Sequence, residues 1–207
     1  MNVDELRQIE DEIRNCIKCP LHKNRTNTVP GEGSTNPEIM FIGEAPGRQE
    51  DLQGRPFVGR AGEYLTYLIS TLGLRREDVY ITNVVKCRPP NNRDPTEEEI
   101  DKCLPYLRRQ IELLKPKIIV ALGRHAAKTL ARESGISFKG ITRERGKIMK
   151  VKIYGLNISL VYTYHPAAAL YNPNLKNILE GDFNKIKELL KEGHAKKRRS
   201  GTLDDFL

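Results

Sequence analysis

Four short segments, 38–43, 79–85, 117–122 and 157–164, are apolar and rich in β-branched residues, and turn residues bound most of them. They read as buried strands. Helical stripes fill the gaps: Leu6, Ile9, Ile13 and Ile17; then Leu65, Leu68, Ile69 and Leu72; then Ile100, Cys103, Leu104, Leu107, Ile111 and Leu114. Arg124 to Arg132 follows the third strand directly, and Leu175, Ile178, Leu179, Phe183, Ile186 and Leu190 mark a last long helix. Thr96 with Glu99 three residues on forms a capping box for the third stripe, which Pro105 is expected to kink. Strands alternating with helices predict a mainly parallel sheet covered on both faces. Residues 148–153 and the start of the last strand, joined by Tyr154-Gly155-Leu156, read as a hairpin. From about Gly193 the sequence turns polar and basic. That divides it into a globular domain, 1–192, and a disordered basic tail, 193–207.

The chain of 207 residues carries four cysteines: Cys16 and Cys19 in a C-x-x-C pair, and the distant Cys87 and Cys103. With no leader-like segment and no apolar run of membrane length, the expected setting is the cytoplasm. Disulfides are disfavoured there, so the pairing points to metal binding or redox work, and four thiolates suit zinc or an iron-sulfur cluster. About 200 residues bury a core without staples, so a metal is not needed merely to rescue a small fold. The net charge of +8, from 35 basic against 27 acidic residues, favours a polyanionic partner. Part of that excess is local, in Lys196-Lys197-Arg198-Arg199.

In open α/β sheets, ligands bind beyond the carboxyl ends of the strands. Here those ends carry Gly43-Glu44-Ala45-Pro46-Gly47-Arg48; Asn83 with Cys87 soon after; Gly123-Arg124-His125; and His165-Pro166-Ala167-Ala168-Ala169. An acid, an amide, a basic pair and a histidine converge on one rim, while His125 itself reads as a structural residue of a first helical turn. The G-x-G-x-x-G spacing of dinucleotide folds is absent, as is a P-loop, which argues against nucleotide-dependent redox or phosphoryl chemistry.

Several stretches, in order, resemble the family 4 uracil-DNA glycosylases, iron-sulfur members of that superfamily from thermophilic bacteria and archaea. They are Gly43-Glu44-Ala45-Pro46-Gly47 with Glu50-Asp51, and Arg55-Pro56-Phe57-Val58-Gly59-Arg60-Ala61-Gly62. Next come Thr82-Asn83-Val84-Val85-Lys86-Cys87-Arg88-Pro89-Pro90, Ala121-Leu122-Gly123-Arg124 and His165-Pro166-Ala167-Ala168. The resemblance implies a single-domain, glycosylase-like three-layer α/β/α sandwich around a four-stranded parallel sheet, with a 4Fe-4S cluster on Cys16, Cys19, Cys87 and Cys103. It implies hydrolysis of the uracil N-glycosidic bond in single- or double-stranded DNA, as part of base excision repair. By the same resemblance Gly43, Glu44 and Ala45 line the base pocket, Phe57 stacks on uracil, Asn83 reads it, and His165 donates to its O2. Glu44, Asn83 and His165 form the catalytic set. The best-known family of the superfamily places an aspartate where Ala45 stands, so the group that orients water is left open among Glu44, Glu50, Asp51 and backbone. Arg60, Lys86 and Arg124 are expected on DNA phosphates, and Leu170 as a wedge in the duplex.

The last eight residues, Ser200 to Leu207, resemble a sliding-clamp-binding peptide with Leu203, Phe206 and Leu207 as its plug. A monomer without membrane attachment is expected. Two rival readings stand beside this one: a superfamily glycosylase for hypoxanthine or xanthine, and a non-catalytic zinc-containing nucleic-acid-binding module.

Overall fold

A computed structural model of the chain describes residues 2–200. The elements run α1 (Asn2–Arg14), β1 (Glu32–Gly33), β2 (Ile39–Gly43), α2 (Arg48–Gln53), α3 (Arg60–Thr71), β3 (Tyr80–Asn83) and α4 (Glu97–Leu114). They continue β4 (Ile118–Leu122), α5 (Arg124–Glu133), α6 (Ile141–Glu144), β5 (Ile148–Ile153), β6 (Leu156–Thr163), α7 (Pro166–Tyr171) and α8 (Leu175–Ser200). The sheet order is β1-β3-β2-β4-β6-β5. Its four inner strands are mutually parallel, as expected, and β1 and β5 flank them as antiparallel edges. The sheet thus has six strands rather than four.

Side-chain alternation builds the two outer layers. Met40, Ile42, Ile119 and Ala121 pack toward α1, α4 and α5. Ile39, Phe41, Ile118 and Val120 pack toward α3, α7 and α8, where Phe41 stacks on Phe183 with centroids 5.8 Å apart. The 148–163 hairpin forms as read, with Tyr154 (φ 49°) and Gly155 (φ 83°) both left-handed, the backbone of a two-residue hairpin turn.

Two expectations shift. Ile17 leaves the first stripe and is 72% exposed, because α1 ends at Arg14 and the chain turns into the cysteine loop. Helix α4 starts at the expected capping box, with the Glu99 N–H donating to Thr96 Oγ1 at 3.2 Å, and holds Pro105 inside it. Helix α8 carries its backbone on to Ser200, through the first part of the stretch assigned to the tail. Lys, Arg, Ala and Glu are strong helix formers, so a polar run need not end a helix. Among the described residues, no helix is long and apolar enough to cross a membrane.

Candidate active site

The carboxyl ends of β2, β3, β4 and β6 gather on one rim. A cavity of about 380 Å³ opens there, walled by Glu44, Ala45, Pro46, Gly47, Glu50, Phe57, Ala61, Asn83, Pro89, Asn92, Arg93, Asp94, His165 and Ala167. Strand β2 delivers Gly43 opposite Asn83 of β3. A β-carbon on Gly43 would run into the Asn83 carboxamide oxygen and sit 2.6 Å from the Phe57 ring, so only glycine lets the two side chains meet there.

Asn83 is 1% exposed, and its Oδ1 has no hydrogen-bond partner. An unpaired buried acceptor costs about 1–3 kcal/mol, which makes this oxygen a place for a ligand donor.

Phe57 closes one side with a left-handed backbone (φ 50°), a strained conformation for a bulky residue. Three supports hold it. Glu50 Oε1 accepts from the N–H groups of Val58 (3.0 Å) and Gly59 (3.1 Å). Arg76 donates to the carbonyls of Pro56 (2.8 Å) and Phe57 (3.0 Å). Gly62 has no side chain, and a β-carbon there would collide with the Phe57 carbonyl.

His165 caps α7: its Nδ1 accepts from the Ala167 N–H at 3.1 Å, and its ring stacks on Phe57 with centroids 5.4 Å apart. Burial pulls its pKa down to about 4, against a weaker opposing pull from Glu50. At neutral pH the ring is therefore uncharged. With Nδ1 accepting, its one proton sits on Nε2, ready to donate.

Glu44 is half-buried, and burial raises its carboxyl above 4.5. His125 opposes that rise, Asp94 adds to it and Arg124 opposes it. His125 Nε2 lies 3.0 Å from Asp94 Oδ2 and 3.9 Å from Glu44 Oε2, and Arg124 Nη2 donates to Asp94 at 2.8 Å. His125, read from sequence as merely structural, thus faces the pocket acid. Asp94, Arg93 and Asn92 were missed altogether. The signal available was the turn-rich run Pro89-Pro90-Asn91-Asn92, where both asparagines take φ 54° and fold the loop over the cavity.

Of the expected DNA contacts, Arg60 is exposed at the first turn of α3, beside the cavity-wall residue Ala61, and Arg124 is exposed but ion-paired to Asp94. Lys86 is a correction. It is 1% exposed, and its ammonium donates inward to Thr82 Oγ1 (2.6 Å), Gln110 Oε1 (2.7 Å) and the Asn83 carbonyl (2.8 Å), so it cannot reach a phosphate. Leu170 is half-buried, while its neighbour Tyr171 is 89% exposed. Leu203, Phe206 and Leu207 lie outside the described residues.

The four cysteines are free thiols that wall one small cavity with Arg25 and Lys86. Cys87 and Cys103 are buried, and burial pushes the Cys103 thiol up to about 12. Donors are aimed at the sulfurs: Arg25 Nη1 lies 3.2 Å from Cys87 Sγ, and the Lys86 N–H lies 3.3 Å from Cys103 Sγ. Among the described residues, the trio of metal-ligating side chains whose donor atoms all lie within 4.8 Å is Glu44, Asp94 and His125; no three of the sulfurs come so close.

A polar cavity on the carboxyl rim of a parallel sheet, walled by an acid, an amide and an uncharged histidine, defines an α/β enzyme with a ligand pocket at its strand ends. The model of the Uracil DNA glycosylase superfamily matches residues 30–191. The chain is 55% identical to a Type-4 uracil-DNA glycosylase of Saccharolobus solfataricus, covering 99% of this chain and 93% of that one. It is 58% identical to one of Sulfurisphaera tokodaii, covering 90% and 86%, and 51% identical to one of Archaeoglobus fulgidus, covering 99% and 100%. The chain belongs to the uracil DNA glycosylase superfamily, in its type-4 branch.

Proposed function

We propose that this enzyme hydrolyses the N-glycosidic bond of uracil flipped out of DNA, releasing free uracil and leaving an abasic site in base excision repair. The observation that carries this reading is the orphaned Asn83 oxygen. Uracil presents an N3–H donor beside its O4 acceptor, a pattern that one carboxamide can satisfy by accepting and donating at once. Cytosine presents the reverse and would leave the pair unmatched in a dry site, which is a strong basis for rejection. Phe57 stacks on the ring, a contact worth about 1–3 kcal/mol that discriminates little between bases.

Cleavage leaves the bonding electrons on the departing base and an oxocarbenium-like sugar. Charge developing on uracil O2 meets the Nε2–H of His165, a donor fixed in place by the Nδ1 contact to Ala167. Water then adds to the sugar C1′ and gives up its proton. Ala45 offers no acceptor for it. Asp51 is buried against the Thr26 and Asn27 N–H groups, and Glu50 is engaged with Val58 and Gly59. Asp94 is held by Arg124 and His125, so Glu44 is the pocket carboxylate assigned to orient the water.

A 4Fe-4S cluster fits the cysteine site better than zinc. Four thiolates at 2.3 Å from one zinc ion would stand roughly 3.8 Å apart, whereas no three of these sulfurs lie within 4.8 Å of one another. Cys16, Cys19, Cys87 and Cys103 would hold the cluster, whose iron would offset part of the thiolate charge, and Arg25 would donate to the Cys87 sulfur. In this reading the protein is a cytoplasmic monomer whose globular domain spans 1–192. Residues 193–207 form the tail that offers Leu203, Phe206 and Leu207 to a sliding clamp; the sequence pattern alone supports that partner. Arg60 and Arg124 meet phosphates.

The test is base release by Asn83→Asp beside the wild type, on oligonucleotides bearing uracil or cytosine. The aspartate accepts from the cytosine amino group, so cytosine release should emerge. The preference for uracil should fall on the order of a hundredfold or more. Wild-type preference in the variant would refute Asn83 as the reader.

A further inference from the structure

We propose that Asp51 is a positioning residue for the base-stacking ring of Phe57, acting through α2, and that it ties this ring to the cysteine site. The inference rests on the stacking role given to Phe57 above.

Asp51 is a carboxylate with 3% exposure that does not line the cavity. Its Oδ1 accepts from the backbone N–H of Thr26 at 2.9 Å and of Asn27 at 3.3 Å. The grip is returned: Asn27 Nδ2 donates to the carbonyls of Asp51 (2.9 Å) and Leu52 (3.1 Å), acceptors in the last turn of α2. The residue before Thr26 is Arg25, whose guanidinium donates to the Cys16 carbonyl at 2.8 Å and lies 3.2 Å from Cys87 Sγ. Loop 25–27 thus holds the cysteine site with one side chain and α2 with the next two residues.

Helix α2 has six residues, too few to hold its own direction in isolation. Neighbouring helical positions point about 100° apart. Asp51 is therefore turned toward the cysteine loop while Glu50, one residue earlier, reaches the N–H groups of Val58 and Gly59. Those two residues follow Phe57, whose left-handed backbone is held against its own preference. Without the anchor at Asp51, the Glu50 carboxylate loses its fixed point and the ring its fixed orientation.

Stacking acts on the bound base before and during bond cleavage alike, so its loss raises KM and leaves kcat nearly unchanged. General destabilisation would lower the melting temperature without producing that split. The experiment measures KM and kcat for uracil release by Asp51→Ala, Phe57→Ala and the double variant, with Asp51→Asn as the conservative change. Each alanine variant should raise KM about tenfold, with kcat within about twofold. The double variant should match Phe57→Ala alone, because both changes remove the same contact. Asp51→Asn, which keeps an acceptor oxygen, should recover most of the loss. If Asp51→Ala does not fold, Asn27→Ala breaks the same joint from the other side and should show the same split. A wild-type KM in the folded Asp51 variant, or a double variant whose KM is the product of the singles, overturns the proposal. Phe57→Ala with wild-type KM would overturn the stacking reading and this inference together; a raised KM there with an unchanged Asp51 variant overturns this inference alone.

Discussion

Asn83 and Lys86 stand three residues apart at one strand end, in opposite surroundings. The asparagine has a buried oxygen with no partner and the cavity before it, whereas the lysine spends its donors on Thr82, Gln110 and the Asn83 carbonyl. Lys86 therefore braces the backbone that carries Asn83. Lys86→Met should cost at least ~2 kcal/mol, since it strips buried acceptors of their donor. It should leave the slope of log affinity for DNA against log salt unchanged; a slope smaller by about one would mean that Lys86 does contact a phosphate. The sequence placed Lys86 near the site correctly but could not tell which face of the strand end it took, because a bend follows Asn83. The place of Gly43, Glu44, Asn83 and His165 on the rim was legible because each lies at or within two residues of a strand end. Asp94 and His125 were not, since their meeting depends on the path of a long loop that no local pattern encodes.

At the level of elements, the four inner strands and the long helices were readable because each carries a full apolar period. The elements that escaped are short. β1 has two residues, and α2, α6 and α7 have six, four and six, too few to show a stripe. Yet α2 and α7 shape the pocket. Helix α2 carries Glu50 to the Phe57 loop, and α7 takes His165 as its cap and fixes the imidazole tautomer. The resemblance supplied Glu50 as a matched residue and the expected role of His165, whereas the interactions that hold both in place are visible only in three dimensions. Ile17 shows the converse error: it keeps the helical spacing of α1 but lies beyond the helix end, where the cysteine loop takes over.

For the whole molecule, the half-buried neutral His165 links stability to pH. Its folded pKa of about 4 lies below its ordinary 6.5. The unfolded chain therefore binds this proton first, and stability is lost as pH falls from 6.5 toward 4. Guanidinium unfolding across that window should show a shallower decline in His165→Gln than in the wild type; parallel curves would mean that the imidazole is not held neutral. The basic surplus fits a partner that is a polyanion, and the site fits one base of that polyanion. The deciding measurement is release of free base by the wild-type protein from oligonucleotides that each carry one uracil, thymine, cytosine, hypoxanthine or xanthine, followed by alkaline cleavage at abasic sites. Strand cleavage confined to the uracil substrate is the expected result; no cleavage at uracil, or equal cleavage at hypoxanthine or xanthine, would contradict it.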